Sequence, residues 1–123
     1  MDMETRIKTT DYQITPEVSA YLDERMSYIE KMLGGDAELA RCEVELGRAA
    51  GNQQHGANIW LAEINVMYPG GSRIRATNNA ENMNTAIEDA KEEVVRQIRT
   101  NKQVHRRVLR KGGAMLKRMM RMD

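Results

Sequence analysis

The chain has 123 residues, enough for one modest hydrophobic core and too few for two. Apolar residues make up 41% and charged residues 30%, which excludes a disordered polyelectrolyte, and a single cysteine, Cys42, excludes an intramolecular disulfide. The net charge of +1 hides an asymmetry: residues 1–95 hold 9 Lys and Arg against 17 Asp and Glu, a net of −8, whereas residues 96–123 hold 10 Lys and Arg against Asp123 alone, a net of +9.

The segment from Met3 to Thr9 alternates, with Met3, Thr5 and Ile7 on one face and Glu4, Arg6 and Lys8 on the other, which predicts a short first strand. Thr15, Pro16 and Glu17 then form a helix start: a capping hydroxyl, a proline suited to the first helical position and a carboxylate favoured by the helix dipole. Val18, Leu22, Met26, Ile29, Met32 and Leu33 follow on one stripe, and Gly34-Gly35 supplies the stop, so a helix is expected over 16–33. From Leu39 to Gly47 the period falls to two, with Ala40, Cys42, Val44 and Leu46 on one side of a second strand and Arg41, Glu43 and Glu45 on the other. A polar connection, Gly51 to Gly56, leads to a third strand over about 58–68, where Trp60, Ala62, Ile64, Val66 and Tyr68 share a face.

Pro69-Gly70-Gly71 reads as the turn of a hairpin into a fourth strand, Arg73 to Ala76, followed by a polar link at Asn78-Asn79. Met83, Ala86, Ile87, Ala90, Val94 and Ile98 define a second helix that continues toward Lys111. Gly112-Gly113 is expected to interrupt it, leaving Met115, Leu116, Met119 and Met120 in a last short amphipathic stretch. The fold class is therefore α+β in the order β-α-β-β-β-α: a four-stranded mixed sheet with two helices packed on one face, plus a basic C-terminal tail. The expected division is a domain over 1–107 and a Met-rich tail over 108–123.

At about 100° per residue, Arg96, Arg99, Arg106 and Arg110 fall within one narrow sector of the second helix, flanked by Lys102 and Arg107 and away from Ile87, Val94 and Ile98. With Lys111 they form a basic ridge whose guanidinium forks suit phosphate oxygens spaced along a nucleic-acid backbone. Bases late in a helix also complement its dipole, and an i,i+4 pair of Glu92 with Arg96 would account for Arg96, but not for ten bases against one acid. Arg73 and Arg75 on the fourth strand, and Lys8 on the first, extend this surface, although each alone also reads as ordinary solvated charge.

No enzymatic constellation emerges. Cys42 shares its strand face with Val44 and Leu46 and reads as buried and inert. Glu43 and Glu45 share an exposed face with Arg41, and His55 and His105 lie far apart without metal-ligand spacing. Gly112-Gly113 precedes Ala114, so the Gly-Gly-Gln of peptide-releasing hydrolases is missing. No metal, cofactor or small-molecule substrate is called for. With no apolar run near the roughly 20 residues of a membrane span and a charged N-terminal stretch unlike a signal peptide, the expected location is cytoplasmic.

The stretch AEINVMYPGGSRIRATNNAENMNTAIEDAKEEVVRQIRTNK, together with ITPEVSAYLDERMSYIEKML upstream, resembles the ribosome hibernation-promoting factor and ribosome-associated inhibitor family, also known as the sigma-54 modulation protein family. The resemblance spans about residues 3–107, and its motif is carried by Met83, Ala86-Ile87-Glu88 and Arg96-Gln97-Ile98-Arg99. It implies a short-form factor that lies on the small ribosomal subunit near the decoding centre and keeps messenger and transfer RNA off idle ribosomes. By the same resemblance Arg75, Arg96, Arg99 and Lys102 would contact ribosomal RNA, and the tail would run along RNA or a ribosomal protein. The chain departs from the family pattern at Asn84, where an aromatic is usual, and at Glu93 and Thr100, where lysine is usual. Two other readings are compatible with the same residues: a general double-stranded RNA-binding module, and a protein-interaction module docking through its amphipathic tail.

Overall fold

A computed structural model describes residues 3–49, 59–69 and 73–121 of the chain, with side chains described up to residue 102. The first strand, β1, spans Glu4–Thr10. The helix α1 follows over Pro16–Leu33, capped as its sequence requires: the Val18 amide donates to the Thr15 hydroxyl at 3.2 Å, and Pro16 opens the first turn. Gly34, at φ +61°, ends it, and its amide donates to the carbonyls of Glu30 and Lys31. A single stretch of 3-10 helix, Gly34–Leu39, leads into β2 at Arg41–Arg48.

β3, Trp60–Met67, and β4, Ile74–Ala80, complete a four-stranded sheet in the order β1-β2-β3-β4. β1 runs parallel to β2, while β2–β3 and β3–β4 are antiparallel. The sheet is thus mixed, because the helical crossover after β1 returns the chain in the same direction and the later connections reverse it. β4 is longer than expected: Asn78 and Asn79 belong to it and pair with Ala62 and Leu61, so the anticipated polar link is strand. The expected connection over Gly51 to Gly56, and the Gly70-Gly71 turn, lie outside the described residues.

The alternation read from sequence becomes a two-faced sheet. Cys42, Val44 and Leu46 pair with Val66, Ile64 and Ala62, which pair in turn with Ile74, Ala76 and Asn78, and nearly all of this face is buried. Leu22, Met26, Ile29 and Leu33 of α1 close over it with Met83, Ala86, Ile87, Ala90, Val94 and Ile98 of the second helix, α2. The two helices pack on this one face, as expected. Neither covers β1: Thr5, Ile7 and Thr9 stand in register with Cys42, Val44 and Leu46, yet every residue of the strand is exposed and Ile7 remains 45% so. Only Met3, just ahead of the strand, is buried.

The second helix corrects one expectation. α2 runs unbroken over Met83–Arg121, so Gly112-Gly113 does not interrupt it. Two glycines cost a helix about 2 kcal/mol together relative to alanine. They are embedded among Arg, Lys, Leu, Met and Ala, which are strong helix formers, and no proline blocks the backbone bonds. α2 thus crosses residue 108 without a break and carries the basic segment as a continuous helix.

Candidate nucleic-acid interface

Two elements build the basic surface. α2 is anchored at its start by Asn82, whose Oδ1 accepts the Thr85 amide at 2.8 Å, and by the buried stripe through Ile87, Val94 and Ile98. Burying that stripe fixes the helix rotation and leaves Arg96 and Arg99 exposed. On β4, Ile74 and Ala76 are buried, so Arg75 between them must point to the open face of the sheet, where it too is exposed.

These pieces meet along the outer edge of the sheet. Arg75, Ala76, Thr77 and Asn78 of β4 and Asp89, Glu92, Glu93, Val95, Arg96 and Arg99 of α2 line one groove of about 780 Å³. Its arginines come from two elements, with Arg75 more than twenty residues before Arg96 and Arg99 in the chain. Two of them are held by acids. Arg75 Nε donates to Glu63 Oε1 at 2.7 Å, and the Thr77 hydroxyl donates to the same oxygen at 3.1 Å. Arg96 meets Glu93 through two nitrogens, with Nε donating to Oε2 at 2.9 Å. Gln97 joins the two halves, donating to Glu93 Oε1 at 3.1 Å and to the Arg75 carbonyl at 3.4 Å. The bond from Arg96, supported by that from Gln97, holds the Glu93 carboxyl below its ordinary pKa, and Glu93 raises that of Arg96 in return. Arg99 has no ion-pair or hydrogen-bond partner among the described residues.

The pairing of Arg96 corrects another expectation. Its acid is Glu93, three residues back, whereas Glu92 accepts from Lys91 at 2.6 Å. Both spacings place a carboxylate within reach on a helix surface. Lys91 decides between them, because it lies almost buried against the Tyr28 ring, with Nζ 4.7 Å from its centre, and draws Glu92 toward itself. Sequence reasoning did not single out Glu63, and it noted Glu93 and Gln97 only within the family motif and its departures, not as partners of the arginines. The i,i+3 spacing of Glu93 and Arg96 was a visible signal, but the contact of Glu63 with Arg75 depends on strand register.

Other predicted residues sit elsewhere. Lys8 lies on β1, across the whole sheet from β4, in a row with Glu45, Glu63 and Thr77. Arg73 is exposed just ahead of β4. Lys102 is turned toward α1, where Nζ donates to the Met32 carbonyl at 2.6 Å and satisfies one of the carbonyls left open at that helix end. Arg106, Arg107, Arg110 and Lys111 are on the continuation of α2, and their side chains lie outside the described residues. Cys42 is fully buried in the core, and burial pushes its thiol pKa up to about 12, so it carries no reactive thiolate. Among the described residues, no group of three acids, histidines or cysteines is placed to hold a metal, and no helix is long and apolar enough to cross a membrane.

The family model described as sigma 54 modulation protein / S30EA ribosomal protein matches residues 5–106. The chain belongs to this family. The matched stretch contains both helix-packed and open faces of the sheet together with Arg75, Arg96, Arg99 and Lys102, and it ends before Arg107, Arg110 and Lys111. Among solved structures, the chain is similar to the N-terminal domain of Protein Y from Thermus thermophilus, with 20% identity and a TM-score of 0.61 over 80% of this chain and 96% of that one. It is also similar to a ribosomal subunit interface protein from Coxiella burnetii, with 14% identity and a TM-score of 0.64 over 82% of this chain and 99% of that one. At those identities the likeness establishes the shared fold. No curated protein matches this sequence. Membership of the family makes the chain a ribosome-associated protein.

Proposed function

We propose that this chain is a ribosome hibernation factor that binds the small ribosomal subunit near the decoding centre, through ribosomal RNA, and blocks messenger and transfer RNA binding on idle ribosomes. It would act in the cytoplasm as a translation inhibitor under stress, and it performs no catalysis. The observation that carries this reading is the meeting of Arg75 with Arg96 and Arg99 at one groove, at the point where α2 becomes uniformly basic. From Arg96 to Arg121 the helix would extend about 39 Å at 1.5 Å per residue, long enough to follow several phosphates. Guanidinium groups bind phosphate by charge and by paired donors, without needing a particular base, as is suited to structured RNA read through its backbone. The subunit interface named for the Coxiella burnetii relative is consistent with this placement.

The direct test is co-sedimentation of the pure chain with small subunits, large subunits, vacant ribosomes and an RNA duplex. Saturable binding to small subunits, competed by transfer RNA, is expected. Reversal of Arg96 and Arg99 to glutamate should reduce that binding by at least tenfold, as removal of two phosphate contacts and addition of two repulsions requires. Equal or tighter binding to the free duplex would replace this reading with general double-stranded RNA binding.

A further inference from the structure

We infer that Glu63 and Glu93 are affinity-limiting residues of the arginine groove, holding Arg75 and Arg96 in internal ion pairs with which RNA phosphates must compete. This rests on the RNA-binding reading and deepens it by dividing the groove's cations into free and engaged ones.

The geometry is layered. The Arg75 and Arg96 side chains are 69% and 68% exposed, while their carboxylate partners lie beneath them at 15% and 33%. The arginines therefore face outward toward any ligand, with their acids on the inner side. The occupied nitrogens matter as much as the charge. Glu93 takes both Nε and one terminal nitrogen of Arg96, which is the same fork that would meet a phosphate in paired fashion. Glu63 takes Nε of Arg75. A phosphate arriving at Arg96 finds a donor pair already engaged, and one arriving at Arg75 finds Nε engaged, until the ion pair opens.

The acids are themselves held in place. Thr77 donates to Glu63, and Gln97 donates to Glu93 and to the backbone of Arg75, so the two pairs are braced across the gap between β4 and α2. Arg99, in the same groove and without such a partner among the described residues, is the cation a phosphate can engage at no such cost.

The test compares Glu63→Gln, Glu93→Gln and their combination with the full-length wild-type chain, on immobilised heparin and with isolated small ribosomal subunits. Exposed ion pairs are held by narrow margins, so each substitution should tighten subunit binding by about two- to fivefold. Each should also steepen the dependence of log affinity on log salt by about 0.7 to 0.9, one further cation being free to displace counterions, and should raise the salt needed for elution from heparin. Asp89→Asn removes the same charge from the same groove without releasing an arginine, and should have a smaller effect. In an Arg96→Gln background, Glu93→Gln should lose most of its effect, since the pair it opens no longer exists. Unchanged or weaker binding by Glu93→Gln with an unaltered melting temperature would overturn the inference. So would an equal gain from Asp89→Asn, or full additivity in the Arg96→Gln background. Heparin elution reports on the ion pairs even if the wild-type chain fails to bind small subunits, which would instead overturn the proposed function.

Discussion

Glu88 accepts Arg25 from α1 at 2.7 Å and Lys91 from its own helix at 3.4 Å, so one carboxylate connects the two helices that cover the sheet. Burial alone would push the Glu88 carboxyl upward, but Arg25 and Lys91 outweigh it and hold it below its ordinary value of 4.5. A lowered folded-state pKa contributes stability that is present above the unfolded value and is lost as pH falls through the folded one. Melting temperature should accordingly fall on acidification below about pH 4.5, and Glu88→Gln should be less stable at neutral pH and show a flatter acid limb. An acid limb unchanged by that substitution would assign the effect to other carboxylates. The i,i+3 spacing of Glu88 and Lys91 is visible in the sequence, but the pairing with Arg25 is not, because Arg25 and Glu88 are 63 positions apart and meet only once α1 and α2 pack.

At the scale of elements, the exposed edge strand β1 depends on a close approach to β2. A Cβ built on Gly47 would lie 2.5 Å from the Thr10 carbonyl oxygen, its partner in the parallel register, so only glycine fits there without a shift. Gly47→Ala should destabilise the fold by about 1–3 kcal/mol, as overpacked sites do, measured by chemical unfolding. Protection of β1 amides from hydrogen exchange should fall more than that of β3, because no helix covers β1. The Gly112-Gly113 pair gives the opposite prediction. With φ and ψ already helical, replacing both by alanine should raise helix content and stabilise α2 by about 1 kcal/mol per site, read by circular dichroism. Reading those glycines as a break gave weight to local propensity and too little to their helix-forming neighbours.

For the whole molecule, the decisive property is the separation of charge along the chain, −8 before Arg96 and +9 from there onward. It gives the protein an acidic body and a basic helical rod, so orientation toward a polyanion is built into its electrostatics. If about five cations neutralise phosphates, log affinity should fall against log salt with a slope of roughly −3.5 to −4.5. A slope near −1 would mean that contacts other than phosphates dominate binding. Net charge alone would have concealed this behaviour, since +1 describes a chain with no preference for anions.

The sequence by itself determined the element order, the apolar stripes of both helices and the buried face of β2 and β3, because periods of two and 3.6 are local properties that survive any tertiary arrangement. It also determined the block of positive charge from Arg96 onward. Only the tertiary structure decided which residues share a site. Strand order placed Lys8 at the far edge and Arg75 beside Arg96 and Arg99, and helix packing drew Lys102 to the Met32 carbonyl 70 positions away. The physical reason is that an exposed charged side chain takes whichever partner lies within a few ångströms, and that neighbourhood is created by long-range packing that a linear pattern does not contain.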